Sequence, residues 1–318
     1  MELMRTGVRE VELRRRVKML WELLGGCIVI VALVFEWARR YHSARILLWL
    51  HTTIRENIVE GDEELFRQPP PREDCPVCFL RLPVTNEQVY QACCGKMLCI
   101  GCVNAVQQRA GTGELPAGQC PFCRAPFVHS QSEKLVERLN ARIAMNDTDA
   151  ISHLGRLHIN GECGILRDDE KGIEMISRAA ELGNVTACSL LGNVYHPYLI
   201  SLPGVDKDYK KAIHYYGLAA MGGLEEARTN LGCLLIQQSN ASKYEFMKHY
   251  LIMVAMTHFL IAAAQGYDAA LKMVKDGYVQ GFITKDEFAQ ALRAHKNSKD
   301  EEKSDQRERA KARLGRID

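Results

Sequence analysis

The sequence predicts a mainly α-helical protein in which a small metal-braced module precedes a stack of helical repeats. Three observations carry that expectation. Eight of the twelve cysteines fall between Cys75 and Cys123. Leu154-Gly155, Leu191-Gly192 and Leu231-Gly232 recur 37 and 40 residues apart. An apolar run, Leu23 to Phe35, lies near the N-terminus. The expected organisation is an N-terminal helical region over 1–67, a zinc module over 68–128, helical repeats with a capping helix over 133–296, and a charged tail over 297–318.

The N-terminal region begins with a basic stretch that includes Arg14-Arg15-Arg16 and Lys18. Leu23 to Phe35 gives thirteen uncharged residues, short of the roughly twenty that span a bilayer. Met19 to Trp37 reaches spanning length if Glu22 and Glu36 sit at the interfaces, with Trp21 and Trp37 as anchors. No small-x-small cleavage site follows Phe35, which argues against a signal peptide. The alternative is a buried or membrane-surface helix continued by the amphipathic stretch Ile46 to Ile58. The expected location is therefore cytoplasmic, with membrane association if 19–37 spans. Lys and Arg are more numerous before the run than after it, an orientation that would put the cysteine module outside the cytosol. A net charge of +2 gives no reason to expect nucleic acid or an acidic substrate.

Gln68-Pro-Pro-Pro71 is a stiff linker that leads into the cysteines. These read Cys75-x2-Cys78, Cys93-Cys94, Cys99-x2-Cys102 and Cys120-Pro-Phe-Cys123. Eight thiols in paired spacing are enough for two tetrahedral zinc sites. Disulfides are the alternative, but two-residue gaps in a chain whose other cysteines (Cys27, Cys163, Cys188, Cys233) lack paired spacing favour metal. All-cysteine sites are closed, so the ions would be structural. Val103 to Arg109 lacks breakers and predicts a short helix, with a loop over 111–118 before the last knuckle.

The order of these pairs resembles a RING finger. In that family the first and third pairs share one zinc, and the second and fourth share the other. The resemblance implies Cys75, Cys78, Cys99 and Cys102 in one cross-braced site, and Cys93, Cys94, Cys120 and Cys123 in the second. Lys96 stands where the family usually has a histidine ligand, and a protonated lysine has no lone pair to give. Cys93 is the natural replacement. The resemblance also implies contacts to a ubiquitin-conjugating enzyme at Val77 and at Pro121, with Pro126 framing the same loop. It further implies a linking role to ubiquitin for Arg124, while simple packing of Val77 and a solvated Arg124 are the plainer readings.

From Glu133 the pattern turns helical, with Leu135, Leu139 and Ile143 on one face. Ala179-Ala180-x2-Gly183 recurs as Ala219-Ala220-x2-Gly223 and Ala262-Ala263-x2-Gly266. Two helices and two turns fill each unit. Small residues let the helix axes approach, and the glycine after each Ala-Ala pair ends a helix in the left-handed conformation. Each unit leaves an apolar face, so the units must stack.

The pattern resembles the Sel-one-like repeat, a relative of the tetratricopeptide repeat, through Asp168, Lys171 and Ala179-Ala180 in the first unit and Tyr195, Gly204-Val205, Asp208 and Tyr216 in the second. The third unit keeps Leu231-Gly232 and Phe259 but replaces the Gly-Val-x2-Asp turn with Ser239-Asn240-Ala241-Ser242. Thr284-Lys-Asp-Glu287 reads as a capping box, with Phe288 and Leu292 expected over the open end. From Asn297 mixed charges predict a solvated helix or a disordered tail.

The two resemblances together imply a ubiquitin-protein transferase of the scaffolding kind. Its partners would be a conjugating enzyme, ubiquitin and a protein recruited by the repeats. A non-catalytic zinc-binding scaffold for protein interactions is the competing expectation. Nucleic-acid binding is disfavoured by the lack of a basic face interleaved with aromatics.

Overall fold

The computed structural model describes residues 63–84, 87–111, 118–128, 133–197, 199, 202 and 204–314. The expected apolar segment 19–37 and the amphipathic stretch 46–58 lie outside them, as do residues 112–117 of the loop before the last knuckle. A short helix, α1 (Glu63–Phe66), precedes the cysteine module. The module contains an antiparallel hairpin, β1 (Gln88–Gln91) against β2 (Lys96–Cys99), with Gln88 opposite Cys99 and Gln91 opposite Lys96. Helix α2 (Ile100–Gly111) follows directly and includes the expected helical stretch. Among the described residues, the module's core cluster buries Leu82, Leu98 and Val103 besides its cysteines. A core that small does not hold a fold by itself, so the cysteines must supply the bracing.

The remainder is helical: α3 (Glu133–Ile143), α4 (Thr148–Asn160), α5 (Asp169–Glu181), α6 (Val185–Tyr195), α7 (Tyr209–Met221), α8 (Glu225–Ala241), α9 (Glu245–Ala264), α10 (Asp268–Val279), α11 (Lys285–Glu302) and α12 (Asp305–Leu314). The pairs α4–α5, α6–α7 and α8–α9 form three stacked units, with α3 packed on the first and α10–α11 closing the last. The side chains of Asp168 and Asp208 accept hydrogen bonds from the first-turn N–H groups of α5 and α7, which satisfies donors that a helix start leaves open. Gly183, Gly223 and Gly266 adopt φ of 85°, 96° and 91° after the Ala-Ala helices, a region that side chains other than glycine rarely occupy.

The Leu-Gly positions have a packing reason. A Cβ on Gly192 would lie 2.4 Å from the Tyr216 ring, and one on Gly232 would lie 2.6 Å from the Phe259 ring. Both rings are fully buried, so the glycine of one helix makes room for the aromatic of its partner.

In the third unit the helices lengthen and only Ser242–Tyr244 connect them. Without the Gly-Val-x2-Asp turn, α8 continues to Ala241, and α9 starts from Tyr244 with no side-chain cap. Among the described residues α9 is the one helix long and apolar enough to cross a membrane, at a mean hydropathy of 1.4. It is also the centre of the largest core, burying Met253 through Phe259 together with Ala262 and Ala263.

Two expectations for the C-terminus need correction. The Thr284–Glu287 capping box forms, and Phe288 stacks on Tyr278 at 4.8 Å. Leu292, however, is 42% exposed, and Ala291 is the buried residue beside it. The charged tail is not a separate solvated segment. Helix α11 runs through residue 296 to Glu302, and α12 packs against α2 of the cysteine module. The reason is two buried charges, Glu302 and Arg307, whose partners lie in residues 72–81. Mixed charge along the chain hides such distant pairing.

The Pro-rich linker is likewise fastened. Arg72 donates to Glu302, Ser298 and the Gln265 carbonyl. Upstream, Phe66 is buried and stacks on His258 at 4.8 Å, and Arg228 donates to the carbonyls of Leu65 and Ala220. On the opposite side Tyr90 of β1 donates to Asp147 (2.9 Å), which Arg142 also binds. Ala92 enters the apolar cluster of α3 and α4 with Leu139, Leu154 and Leu157. The cysteine module therefore meets both the first and the last helices of the stack.

Candidate metal centres

Two loops of the module repeat each other atom for atom in their backbone bonding. In Cys75-Pro-Val-Cys78, Phe79 N donates to Cys75 O, Cys75 N donates to Leu80 O, and Leu82 N donates to Glu73 O. In Cys120-Pro-Phe-Cys123, Arg124 N donates to Cys120 O, Cys120 N donates to Ala125 O, and Phe127 N donates to Gly118 O. Isolated bridges, Asp74 with Arg81 and Gln119 with Pro126, close both loops at the same offset. The residue after the second cysteine has positive φ in each, 57° at Phe79 and 60° at Arg124. This tight turn points both sulfurs of a knuckle the same way.

The eight sulfurs collect into two groups: Cys75, Cys78, Cys99 and Cys102; and Cys93, Cys94, Cys120 and Cys123. The pairs alternate along the chain, so the arrangement is cross-braced. Sulfur separations are 3.9 Å for Cys75–Cys102 and 3.8 Å for Cys78–Cys99 in the first group. They are 4.0 Å for Cys94–Cys120 and 3.4 Å for Cys93–Cys123 in the second. A tetrahedral ion with metal–sulfur bonds of about 2.3 Å sets its ligands about 3.8 Å apart, so both groups fit one ion each. Disulfides do not, since an S–S bond is about 2.0 Å and all eight cysteines are free.

Without a cation these thiols resist ionising together. Burial pushes Cys94 up to about 11, a Lys96 backbone hydrogen bond works the other way, and the charges of Cys120 and Cys123 add repulsion. Burial raises Cys93 as well. A bound metal supplies the missing positive charge. The two groups differ in setting: in the first only Cys78 is not fully buried, whereas in the second only Cys120 is buried and Cys123 is exposed.

The other residues singled out in the sequence occupy distinct positions. Val77 is half-buried and packs against the cysteine core. Pro121 is half-buried, while Arg124, Pro126 and Lys96 are exposed. Two residues that sequence reasoning passed over stand beside them: Phe79 is 78% exposed and Phe122 is 45% exposed. Phe79 follows Cys78 as Arg124 follows Cys123, and Phe122 sits at the place of Val77; comparing the two knuckles would have found both.

Between the hairpin and the first helices of the units lies a cleft of about 820 Å³. Tyr90 and Met97 face it from the module, with His153, Arg156 and Leu190 opposite. His153 is pushed down to about 4 by burial and by Arg156, so it is neutral near pH 7. Asp147, the partner of Tyr90, stays below the usual carboxylate range; burial opposes this, but hydrogen bonds from Arg142 and Tyr90 win.

Fold and site define a class: a mainly helical repeat solenoid joined to a compact module of two cross-braced four-cysteine centres, which resembles the RING type. Residues 148–184 and 185–224 match the Sel1 repeat family model. The third unit, with its altered turn, lies beyond that match. Over 74 residues the chain is 35% identical to the E3 ubiquitin-protein ligase DA2 of Arabidopsis thaliana, covering 21% of this chain and 17% of that protein. The chain thus spans about a sixth of the length of that curated relative. Among solved structures, a Sel1 repeat protein from Oxalobacter formigenes aligns at 18% identity and a TM-score of 0.43, covering 61% of this chain and 71% of that one. The antigen c5321 of uropathogenic Escherichia coli, described as having an SLR fold, aligns at 21% identity and a TM-score of 0.39 over 65% and 43% of the two chains.

Proposed function

We propose that this chain is a RING-type ubiquitin ligase of the scaffolding kind, whose helical repeats recruit a protein partner. The observation that carries the reading is the pair of cross-braced cysteine centres built on twin knuckles. The partial likeness to a plant ubiquitin ligase supports it. Zinc suits both centres, because four thiolates in tetrahedral array select a borderline-soft ion without redox needs. Zinc would brace the loops and leave no open position for a catalytic water.

In this reading the reaction occurs on the partner proteins. The neutral amine of a substrate lysine attacks the carbonyl of the thioester that joins ubiquitin to the conjugating enzyme. An isopeptide bond forms, the thioester C–S bond breaks, the conjugating enzyme keeps the electron pair as thiolate, and the amine loses its proton to solvent. This chain contributes orientation: a tethered ubiquitin held in attack geometry reacts at a raised effective concentration. Val77 and Pro121 would meet the conjugating enzyme. Arg124, exposed, would bind both it and ubiquitin through the several donors of its guanidinium.

The test is autoubiquitination by the full-length chain with a panel of conjugating enzymes, comparing the parent with Arg124→Asn. Asparagine tolerates the positive φ of this position better than most residues, so metal content should match the parent while transfer falls at least tenfold. Equal transfer by parent and variant at saturating conjugating enzyme sinks the linking role. No transfer with any conjugating enzyme favours the second reading, a non-catalytic zinc scaffold. That reading draws on Val77, whose packing against the cysteine core is role enough without a docking partner.

A further inference from the structure

We propose that Arg307 is a positioning residue of the first metal centre, so that helix α12 belongs functionally to the cysteine module although 229 residues separate Arg307 from Cys78. The proposal rests on the zinc reading above. Arg307 is 1% exposed. Its Nη2 donates to Cys78 Sγ at 3.6 Å and to Leu80 O at 3.3 Å. Its Nη1 donates to Arg81 O at 2.8 Å and to Glu302 O at 2.9 Å. One guanidinium thereby grips a ligand sulfur and the carbonyls of Leu80 and Arg81 in the same loop.

Charge explains why a cation is buried there. Among the described residues no carboxylate pairs with Arg307, since the nearby Glu302 carboxylate binds Arg72. An unpaired buried guanidinium is costly. Four thiolates around one divalent zinc carry about two net negative charges, and Arg307 lies against that excess. Hydrogen bonds from outside the ligand set hold thiolates in place and tune their hold on metal. The approach also needs Gly101, which stands between Cys99 and Cys102. A Cβ there would lie 2.8 Å from Arg307 Cγ and 3.0 Å from its Cα and N. The second centre has no comparable buried cation among the described residues; Lys96 beside it is exposed.

Full-length protein loaded with cadmium-113 gives the test, because each four-cysteine centre reports separately by NMR and can be assigned through coupling to its cysteine β-protons. In Arg307→Lys and Arg307→Ala, the resonance coupled to Cys78 should shift while that of the Cys93 centre stays in place. Metal retention against a competing chelator should weaken about 10- to 100-fold at the first centre only. Arg307→Lys keeps the charge but cannot bond all four acceptors, so it decides the matter if the alanine variant folds poorly. Unchanged resonances in both variants, or equal loss of both centres, overturn the proposal in favour of a mere structural peg. Failure of the parent to hold two cadmium ions overturns the zinc reading and this proposal with it. None of these readouts needs a conjugating enzyme, so a chain with no transfer activity can still show the selective effect, and a ligase can lack it.

Discussion

His258 is buried, with no hydrogen-bond partner at either ring nitrogen among the described residues, and is stacked on Phe66. Burial, helped by the positive charge of Arg228, pushes it down to about 3 from the ordinary 6.5. The folded state holds it neutral, whereas the unfolded chain takes up a proton below about pH 6.5. Stability from this group is thus present above 6.5 and lost as pH falls towards 3. At about pH 5 the loss is on the order of 2 kcal/mol. His258→Phe keeps the stacked ring and removes the titration. Urea midpoints for parent and variant, compared at about pH 7.5 and pH 5, should show a smaller acid loss in the variant. Metal release in acid affects both proteins alike and drops out of the comparison. Parallel losses in the two would show that His258 is protonated without strain in the fold.

At the scale of elements, the two knuckles share a backbone pattern but not an environment. The first is covered by α12 and holds buried Cys75, Cys99 and Cys102; the second ends in exposed Cys123. A chelator reaches exposed thiolates first, so metal should leave in two phases, with the Cys93 centre emptying at least tenfold faster. A single phase would show that the centres open together. The thiol pairs were legible in the sequence because each is local, three with two residues between thiols and Cys93-Cys94 adjacent, whereas their sorting into two centres followed from the resemblance to RING fingers. The repeats were legible for the same reason: Gly183 and Gly223 end helices, and Gly192 and Gly232 admit a ring from the next helix. The third turn was less so, since it is set by how far α8 and α9 extend. The docking of α12 was invisible. Its charged residues read as a solvated run, whereas Arg307, meeting carbonyls from residues 80 and 81, and Ala310 are buried in it.

For the whole molecule, the decisive question is whether the cysteine module is an appendage or a brace. Its contacts argue for a brace. On one side Ala92 and Tyr90 join the cluster and polar network of α3 and α4. On the other, Arg72 ties to Glu302 in a pair that leaves Glu302 only 3% exposed, and α12 lies along α2. Breaking one member of a buried ion pair costs about 3–5 kcal/mol, and this pair ties the entry of the cysteine module to the end of α11. A solenoid alone is stabilised by nearest-neighbour interfaces; here the module adds a connection between its first and last helices. Stripping metal removes much of the free energy that folds the module, and those end contacts should go with it. Thermal unfolding followed by the helical circular dichroism signal should therefore begin several degrees lower after chelation, and Cys120→Ser should reproduce the shift without chelator. Adding zinc back to the stripped parent should restore the midpoint but leave that variant unchanged. A helical transition at the same temperature with and without metal would show that the solenoid stands alone and that the contacts across the module carry little of its stability.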